Sequence, residues 1–382
     1  MEEWIKCPLG DILNFRRGHD LPKTSMIPGD IPVAGSNGII GFHNVSTPIS
    51  PCITIGRSGN VGTPYIYDKC WAHNTVLYID DYKGNDPKYL YYLLKTLPLA
   101  SFGGGSAVPT LNRNHIHPLE VDFCRDIELQ KKIAGILSKI DDKIELNRQI
   151  NDNLEQQAEA LYKSWFVDFE PFKDGKFIES ELGQLPEGWR IYTLNELMDI
   201  KRGSSPRPIQ SYLSETGLKW LKISDATSCS SPFIYEIQEH IKSEGLRNTV
   251  YLQKGALVLS NSATPGLPKI LGIDTCIHDG WLYFPISKLS NPFMYLMFIK
   301  FRENLISQAN GSVFMNLKTE IVKNLKIALP KREIIEQFDL IISSIFNEIR
   351  NRTEEMLILS KQRDTLLPKL MSGEIKINEI DC

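Results

Sequence analysis

The chain has 382 residues, of which 42% are hydrophobic and 23% charged, with seven cysteines and a formal net charge of −3 at pH 7. This length exceeds what one hydrophobic core usually serves, and the composition is ordinary for a soluble protein, so we expect two or three domains. No apolar run is long enough to cross a membrane and the acidic start lacks signal-peptide features, which predicts a cytoplasmic protein. The scattered cysteines form no Cys-x-x-Cys pair, which argues against a disulfide framework or a zinc site. Much of the negative charge lies in one helical segment, so net charge neither supports nor excludes binding to nucleic acid.

The first part of the chain predicts a small α/β globule. Apolar runs at 52–55, 76–79 and 119–123 are bounded by Gly, Asn and Pro, a pattern typical of short strands. Asp86 followed by Pro87 suits a helix N-cap and first helical position, so a helix is expected over 89–97.

Residues 126–168 carry a coiled-coil pattern, in which apolar side chains recur at alternating spacings of four and three. The apolar seam residues are Ile133, Leu137, Ile140, Ile144, Leu154, Leu161 and Trp165. The segment contains no proline, so we expect one helix of roughly 60 Å at 1.5 Å per residue.

A second seam lies in residues 330–372, and it consists of Phe338, Ile342, Ile345, Ile349, Met356, Leu359 and Leu366. Each seam must be buried, and we expect the two helices to pair antiparallel within one molecule. Two unrelated surface helices on separate domains remain the alternative. Pro368 is expected to kink or end the second helix. The polar seam positions Asn147, Asn151, Arg352 and Arg363 have no assigned role at this point.

The sequence contains a second copy of the globule. Trp4, Leu9 and Arg17-Gly18 recur at one constant offset as Trp189, Leu194 and Arg202-Gly203, and HNTVLYI from His73 recurs as HDGWLYF from His278. The offset grows between these two matches, which indicates an insertion in the second copy within 211–248. The counterpart strands are expected at 257–259, 282–284 and 325–329, and Asn291-Pro292 predicts an N-cap for a helix over 293–305. A duplication of this kind implies a pseudo-twofold axis.

These features predict an α+β chain with six parts. The parts are a first globule at 1–125, a long helix at 126–168, a linker at 169–188, a second globule at 189–329, a second long helix at 330–372 and a tail at 373–382.

Three strings flank the long helices: SWFVDF at 164–169, LPEGW at 185–189 and KLMSGEI at 369–375. Together with the duplicated globules, they make the chain resemble the specificity subunit of type I DNA restriction and modification systems. The resemblance implies two target-recognition domains separated by two antiparallel helices, each domain reading one half of a split double-stranded DNA target. It also implies partner chains that carry the catalysis, namely two methyltransferase subunits together with restriction subunits. The specificity chain itself then needs no cofactor and no metal.

Several polar residues occupy matching places in the two copies. Arginine before glycine, at Arg17 and Arg202, suits phosphate or guanine edges, although a solvated arginine or a salt bridge explains it equally well. Loops with different chemistry at equivalent places are what two different half-sites require, although plain turns favour the same residues. The histidines that open the matched strand can contact bases or tie the strand to the preceding loop. The full set of DNA-binding candidates is Arg17, Arg57, Ser58, Asn60, His73, Asn74, Ser106, Arg113 and Asn114 in the first copy, and Arg202, Ser204, Asn261, Ser262, Thr264, His278, Ser312, Asn316 and Lys318 in the second.

Three other classes of protein are alternatives to this interpretation. An enzyme acting alone on DNA is disfavoured, because the chain has neither a GxxxxGK[ST] loop nor an Asn/Asp-Pro-Pro-aromatic motif, and Glu374-x-Lys376 lacks an upstream acid for a nuclease. A coiled-coil adaptor that binds only proteins explains the helices but not two divergent polar globules. A recognition subunit of related split-target systems that cut outside their site remains open.

Overall fold

The computed structural model describes residues 4–104, 109–308 and 316–375. Its internal contacts divide the chain into two compact units: unit 1 comprises Met1–Glu145 and Leu357–Cys382, and unit 2 comprises Leu146–Met356. Each unit therefore contains a globule together with part of both long helices. Within the described ranges, no helix has the length and apolarity that crossing a bilayer requires.

The first globule, in unit 1, consists of short strands and helices. Its strands are β1 (Trp4–Pro8), β2 (Asn14–Arg17), β3 (Ile31–Gly35), β4 (Gly38–His43), β5 (Cys52–Gly56), β6 (Pro64–Tyr67), β7 (Trp71–Ala72), β8 (Val76–Asp81) and β9 (Glu120–Cys124). Its helices are α1 (Leu9–Ile12), α2 (Pro87–Thr96) and α3 (Arg113–Ile116), and the long helix α4 (Ile127–Phe166) begins here. The strand orders are β2-β8-β5-β6, β4-β3-β7 and β1-β9.

The second globule, in unit 2, has more strands. They are β10 (Phe177–Ser180), β11 (Gly183–Pro186), β12 (Arg190–Thr193), β13 (Lys201–Arg202), β14 (Leu213–Ser214), β15 (Leu218–Leu221), β16 (Phe233–Ile234), β17 (His240–Ile241), β18 (Val250–Leu252), β19 (Leu257–Ser260), β20 (Pro268–Leu271), β21 (Thr275–Ile277), β22 (Trp281–Tyr283) and β23 (Lys326–Leu329). The helices are α5 (Leu194–Leu197), α6 (Ile223–Ser228), α7 (Asn291–Gln308), α8 (Thr319–Lys323) and the start of the long helix α9 (Arg332–Met371).

The duplication predicted from sequence is confirmed by strand order. The series β2-β8-β5-β6 in unit 1 corresponds to β13-β22-β19-β20 in unit 2, and the pair β1-β9 corresponds to β12-β23. Each unit has one further matching sheet. In unit 1, β3 pairs parallel with β7 and antiparallel with β4. In unit 2, β15 pairs parallel with β21 and antiparallel with β17. Two residues, Ser36 and Asn37, join β3 to β4, whereas residues 222–239 join β15 to β17. The insertion therefore lies at the tip of this hairpin, within the predicted range.

The helix predicted after Asp86 forms as expected, and its counterpart needs a correction. The Asp86 carboxylate accepts a hydrogen bond of 2.8 Å from the Tyr89 backbone N–H, which caps α2. In unit 2 the cap is not Asn291, because α7 already begins at that residue. The Ser290 hydroxyl instead accepts from the Phe293 N–H at 3.1 Å, and the Asn291 amide donates to the Gly255 carbonyl at 2.6 Å. The helix start thus moves by one residue.

In unit 1 the two long helices contact the globule through a buried polar cluster. The Asp141 carboxylate accepts from the Arg363 guanidinium at 2.7 Å and from the Tyr92 hydroxyl at 2.8 Å. The side chains of Arg363 and Asp141 are only 20% and 26% exposed, so the pair is largely shielded from water. Gln130, which is fully buried, also ties α4 to the globule by donating to the Cys124 carbonyl at 2.8 Å. Arg363, which had no assigned role in the sequence, joins α9 to α4 in this unit.

We expected Pro368 to kink or end α9, and the helix does not end there. The helix continues through Pro368 to Met371, and Leu370 is 1% exposed. A proline in a helix removes one hydrogen bond and clashes with the carbonyl four residues earlier. Near the end of α9 this cost is offset by the burial of Leu367, Leu370 and Met371 in the core of unit 1.

We predict that Arg363→Ala lowers the free energy of unfolding by about 1–3 kcal/mol, because it leaves a shielded carboxylate without its cation. Arg332→Ala is the matched control on the same helix: its side chain is 87% exposed and pairs with Glu336, one turn away. The control change is expected to be below about 0.5 kcal/mol. Urea unfolding of the full chain measures both, and equal effects would contradict the assignment.

In unit 2 the two long helices are held in register by buried polar side chains. Asn151 is 5% exposed, and its amide donates to the Thr353 hydroxyl at 3.1 Å. One turn earlier on α4, the Asn147 amide donates to the Glu355 carboxylate at 2.7 Å and its carbonyl accepts from Arg352 at 3.1 Å. These partners run in opposite directions along the two helices, so the pair is antiparallel in this unit. A buried amide of this kind selects one register, because any shift leaves it unpaired.

All fourteen apolar residues assigned to the two seams are buried or half-buried. Other residues of the long helices, off the assigned seams, are buried as well, notably Tyr162 and Phe346, which are 5% and 3% exposed. Their rings contact the globule of unit 2, with Tyr162 5.5 Å from Phe293 and Phe346 5.4 Å from Tyr295. The helices are therefore part of the globule's core rather than a free coiled coil.

The strings SWFVDF and LPEGW meet in unit 2 as one aromatic cluster. The Phe166 ring lies 4.7 Å from Phe338 on α9 and 5.8 Å from Trp189, and Phe169 lies 5.1 Å from Trp189. In unit 1 the equivalent tryptophan, Trp4, packs against Gly373 after the end of α9, where a Cβ would lie 2.7 Å from the indole. Each tryptophan thus packs on the segment that follows a long helix.

One acid of α4 is expected to make stability depend on pH. Burial raises the pKa of Glu155 to about 7, although Lys269 lowers it in part. Lys269 is 3% exposed, and its ammonium donates to the carbonyls of Cys229 and Ser231 at 2.6 and 2.5 Å.

Because the unfolded chain releases this proton at lower pH, the folded state binds the extra proton between the ordinary value of 4.5 and about 7. Protonated Glu155 therefore favours the folded state, and this contribution to the free energy of unfolding is lost as pH rises through the window and the buried carboxyl ionises. We predict that Glu155→Gln raises the melting temperature relative to the parent chain above the window and leaves it nearly unchanged below it. Thermal unfolding at both ends of the window checks this, and a destabilisation at the higher pH would contradict it.

Candidate nucleic-acid interface

The two Arg-Gly pairs mark a strand crossing that only glycine permits. A Cβ on Gly18 would lie 2.1 Å from the His73 carbonyl oxygen, and one on Gly203 would lie 2.2 Å from that of His278. The backbone N–H of each glycine donates across the crossing, Gly18 to Val76 at 3.0 Å and Gly203 to Trp281 at 2.8 Å. The arginine before each glycine therefore stands at a fixed strand end, and both arginines are exposed.

Next to each arginine, two loops are joined by one side-chain hydrogen bond. In unit 1 the Asn74 amide donates to the Asp20 carboxylate, and in unit 2 the Ser205 hydroxyl donates to the Asp279 carboxylate at 2.6 Å. Asp20 and Ser205 occupy equivalent positions, as do Asn74 and Asp279, so donor and acceptor are exchanged between the copies. The hydrogen bond from Ser205 lowers the pKa of Asp279, and so does the nearby Arg202.

In unit 1 this junction gathers residues from four segments. An Arg57 guanidinium nitrogen lies 3.4 Å from the Asn74 carbonyl oxygen, and burial, followed by the like charge of Arg17, lowers the pKa of Arg57. The Leu111 N–H donates to the Arg57 carbonyl at 2.8 Å, and Ser58 forms an isolated antiparallel β-bridge with Thr110. The strand-end arginine, the 57–60 loop, the 73–74 turn and the 110–111 segment therefore meet on one face.

Unit 2 repeats this arrangement with other side chains. The Leu317 N–H donates to the Asn261 carbonyl at 2.7 Å, and Ser262 is bridged to Asn316. The Asp279 carbonyl accepts from Arg202 Nε at 2.5 Å and from the Asn261 amide at 3.3 Å. The same four segments meet, and the loop residue equivalent to Arg57 is an uncharged asparagine.

Three of the predicted side chains are buried or half-buried and are held by contacts within their own globule. Asn261 is 1% exposed, and the His278 ring lies 5.9 Å from Trp220 and 6.3 Å from Trp281. The Nδ1 atom of His278 accepts from the Gly280 N–H at 2.8 Å, and Nδ1 of His73 lies 3.0 Å from the Thr75 hydroxyl. Burial lowers the pKa of both histidines, so both rings are held neutral. These three residues fix the loops that carry the exposed candidates.

The other predicted positions divide into anchored and accessible ones. Arg113 is exposed but donates to the Phe15 carbonyl at 3.0 Å, which ties α3 to β2. The carbonyls of Ser204 and Thr264 accept from the hydroxyls of Thr249 and Ser260. The exposed candidates beyond the strand-end arginines are Asn60, Asn114, Asn316 and Lys318. Ser106 and Ser312 lie outside the described residues.

Four residues of this face were missed from the sequence. Asp20 and Ser205 each follow the repeated arginine by three residues, and this matched spacing was a signal that could have identified them. Arg207 is exposed, and its guanidinium lies 3.3 Å from the Asp279 carboxylate. Asn37 is exposed at the tip of the β3–β4 hairpin, beside Ser36. Neither Arg207 nor Asn37 has a counterpart in the other copy, so the repeat gave no signal for them.

A family model for the type I restriction modification DNA specificity domain matches residues 1–156 and 186–358. The chain belongs to this family. It is 28% identical over 306 residues to the MjaIX specificity subunit of a type I restriction enzyme from Methanocaldococcus jannaschii, a match covering 77% of this chain and 70% of the relative. It is 28% identical over 360 residues to the HindI specificity subunit from Haemophilus influenzae, covering 76% and 77%.

The fold is shared with a solved type I specificity subunit from M. genitalium. That likeness has a TM-score of 0.62 at 18% identity and covers 97% of this chain and 96% of that one. The family model matches both copies of the duplicated globule, one region in each. The resemblance inferred from the three flanking strings is therefore confirmed, and the chain is a specificity subunit rather than a catalytic one.

We predict that Gly18→Ala destabilises the chain by about 2 kcal/mol or more, because the new methyl group would overlap a backbone carbonyl that cannot rotate away. Gly135→Ala is the control: that glycine lies in α4 with open space around its missing Cβ. Replacing it should stabilise the helix by about 0.5–1 kcal/mol. Melting temperatures of the two variants should move in opposite directions, and a neutral Gly18→Ala would contradict the crossing.

Proposed function

We propose that the chain reads a split double-stranded DNA target, one half-site with the face of unit 1 and the other with the face of unit 2. The observation that carries the proposal is the pair of matched clusters, which share a backbone framework but differ in chemistry. Arg57 in one stands where Asn261 stands in the other, and Asn74 stands where Asp279 stands. Two half-sites of different sequence require such differences, whereas a plain structural repeat does not.

Within this proposal the residues have distinct roles. The exposed strand-end arginines, Arg17 and Arg202, contact phosphates or guanine edges. The exposed loop residues, among them Asn60, Asn114, Asn316 and Lys318, supply further phosphate or base contacts. The buried Asn261 and the half-buried His73 and His278 hold the loops in place. The partly exposed Arg57, Ser58, Asn74, Ser204, Ser262 and Thr264 line the face between them.

The long helices are proposed to set the number of base pairs between the half-sites. Each is one continuous helix of 40 residues, and buried amides at Asn147 and Asn151 fix its register in unit 2. A continuous helix has a fixed rise per residue, so it can hold two sites at a set distance, which a flexible linker cannot do. On this reading, residues 1–125 and 189–329 are the target-recognition domains, 126–168 and 330–372 are the spacers, and 169–188 is the linker.

The catalytic work is assigned to partner chains. We propose that methyltransferase subunits, in two copies, and restriction subunits assemble on this chain and act on the DNA that it selects. The duplication supports two equivalent docking sites, because each copy offers its partner the same framework. The DNA target implies that the complex works in the cytoplasm.

The proposal is tested by co-expressing the chain with the adenine methyltransferase expected to be encoded beside it and mapping methylated adenines across the host genome. A split motif that disappears without this chain supports the proposal and identifies both half-sites. A stable complex of the two proteins that methylates no defined motif would contradict it and favour a protein-binding adaptor.

The spacer role gives a sharper prediction. Seven residues inserted after Glu145 in α4, together with seven after Met356 in α9, should leave both half-sites unchanged. They should lengthen the gap by about three base pairs, from a rise of 1.5 Å per residue against about 3.4 Å per base pair. The matched control is the insertion in α9 alone. It lengthens one helix only, so the Asn151–Thr353 contact and the Arg363–Asp141 contact cannot both be kept, and the chain should be destabilised. A changed half-site with an unchanged gap would refute the spacer.

A further inference from the structure

We propose that the β3–β4 hairpin of unit 1 reads A·T base pairs in the major groove, with Asn37 as a specificity-determining residue and Ile39 as the contact to thymine methyl groups. This inference rests on the proposed function and names the bases that one face recognises. A two-stranded ribbon is one of the elements whose size fits the major groove.

The tip of this hairpin is fixed against the candidate interface. The Ser36 hydroxyl is 8% exposed and lies 2.6 Å from the Ser58 carbonyl oxygen and 2.7 Å from that of Thr75. Gly38 closes the two-residue turn with a φ of +94°, and its missing Cβ would lie 3.8 Å from the Tyr65 ring. The turn is therefore held beside the loops that carry Arg57 and Asn74.

Asn37 stands at the tip with its side chain exposed. Within the described residues its amide makes no hydrogen bond, in contrast to Ser36 beside it. An asparagine amide offers one donor and one acceptor in a plane, which matches N7 and N6 of adenine. A turn that is tied to the loop after Arg57 and presents such an amide is suited to reading a base edge.

The strand that follows the tip presents apolar side chains to solvent. Ile39 is 52% exposed and Phe42 is 54% exposed on β4, which is the edge strand of its sheet. Exposed apolar groups on a polar face need a partner, and in the major groove the apolar group is the C5 methyl of thymine. Asp30 lies at the opposite end of the ribbon, beyond Ile31 and His43, so its negative charge is away from the tip.

DNA is favoured over a protein partner because the apolar strand is continuous with the cationic face. Ile39 pairs with Ala34, and the Ala34 carbonyl accepts from the His73 N–H at 3.0 Å. His73 and Asn74 adjoin Arg57, whose guanidinium contacts the Asn74 carbonyl. Ile39 is therefore linked to Arg57 through Ala34 and the 73–74 turn, and phosphates are expected beside that arginine.

Unit 2 lacks this reading element. Residues 222–239 replace the Ser36–Asn37 turn, and the first of them, Lys222, is paired with Glu239 at 2.8 Å. The A·T preference is thus expected in only one of the two half-sites.

The test uses the full chain with its co-expressed methyltransferase, once the parent motif is mapped. Duplexes carry 7-deazaadenine for adenine, or deoxyuridine for thymine, at single positions of the unit 1 half-site. At one adenine, the 7-deaza change should weaken binding by the parent chain about tenfold, and Asn37→Ala should weaken binding to normal DNA equally. The variant should lose nothing further on the modified duplex. Removing one thymine methyl should cost about fourfold with Ile39 present and nothing with Ile39→Ala.

Asn44→Ala is the matched control, because Asn44 is an exposed asparagine at the other end of the same hairpin, and it should leave the motif and the affinity unchanged. The substituted side chains are exposed, so melting temperatures should match the parent chain. An Asn37→Ala variant with unchanged affinity and an unchanged motif would overturn the inference, while the proposed function would stand. So would an Ile39→Ala variant that loses the methyltransferase but keeps its response to deoxyuridine. A parent chain without any motif would overturn the proposed function itself.

Discussion

The fold depends on two long helices that cannot leave their apolar stripes in water. Each is 40 residues long, and isolated helices of such mixed composition gain most of their stability from packing. Hydrophobic contact alone tolerates sliding by a turn, since one aliphatic residue replaces another. In unit 2 the buried Asn151 removes that freedom, because its amide finds Thr353 in only one register. In unit 1 the shielded Asp141 imposes the same condition through Arg363.

The same helices also complete the cores of the globules. Leu367, Leu370 and Met371 of α9 belong to the core of unit 1, and Tyr162 of α4 belongs to that of unit 2. A tryptophan at the start of each globule packs on the chain that leaves a helix, Trp4 against Gly373 and Trp189 against Phe169. Folding of each globule is therefore coupled to helix pairing. This coupling gives a physical reason for the three flanking strings, since their side chains form these junctions.

Much of this fold could be predicted from the sequence. Periodicity identified both helices, the repeat identified the matched strands, and Asp86 identified the start of α2, because each of these depends on local spacing. The failures came from tertiary packing. Burial carries α9 past Pro368, and Ser290 displaces Asn291 as the cap because the Asn291 amide is used by Gly255.

The candidate interface was harder to predict for a related reason. Sequence identifies which residues are polar, but not whether they face solvent. Sequence did not separate His278 and Asn261 from the accessible candidates, yet His278 is half-buried against Trp220 and Asn261 is buried. The side-chain hydrogen bonds from Asn74 to Asp20 and from Ser205 to Asp279 join loops that are far apart in the chain. No local sequence pattern predicts them. Only comparison of the two copies could have suggested them.

The exchange of donor and acceptor in that bond shows which parts of the interface are free to diverge. A free carboxylate is unfavourable on a face that we propose to bind phosphates, and in each copy the acid accepts a hydrogen bond from a residue of the other loop. The bond that joins the loops is retained, although the acid has moved from one loop to the other. The hairpin tip is not part of this hydrogen bond, and there the two copies differ in length. Two residues form the tip in unit 1, whereas residues 222–239 form it in unit 2. A junction kept in both copies, with a tip that differs between them, allows one framework to present different chemistry in each copy.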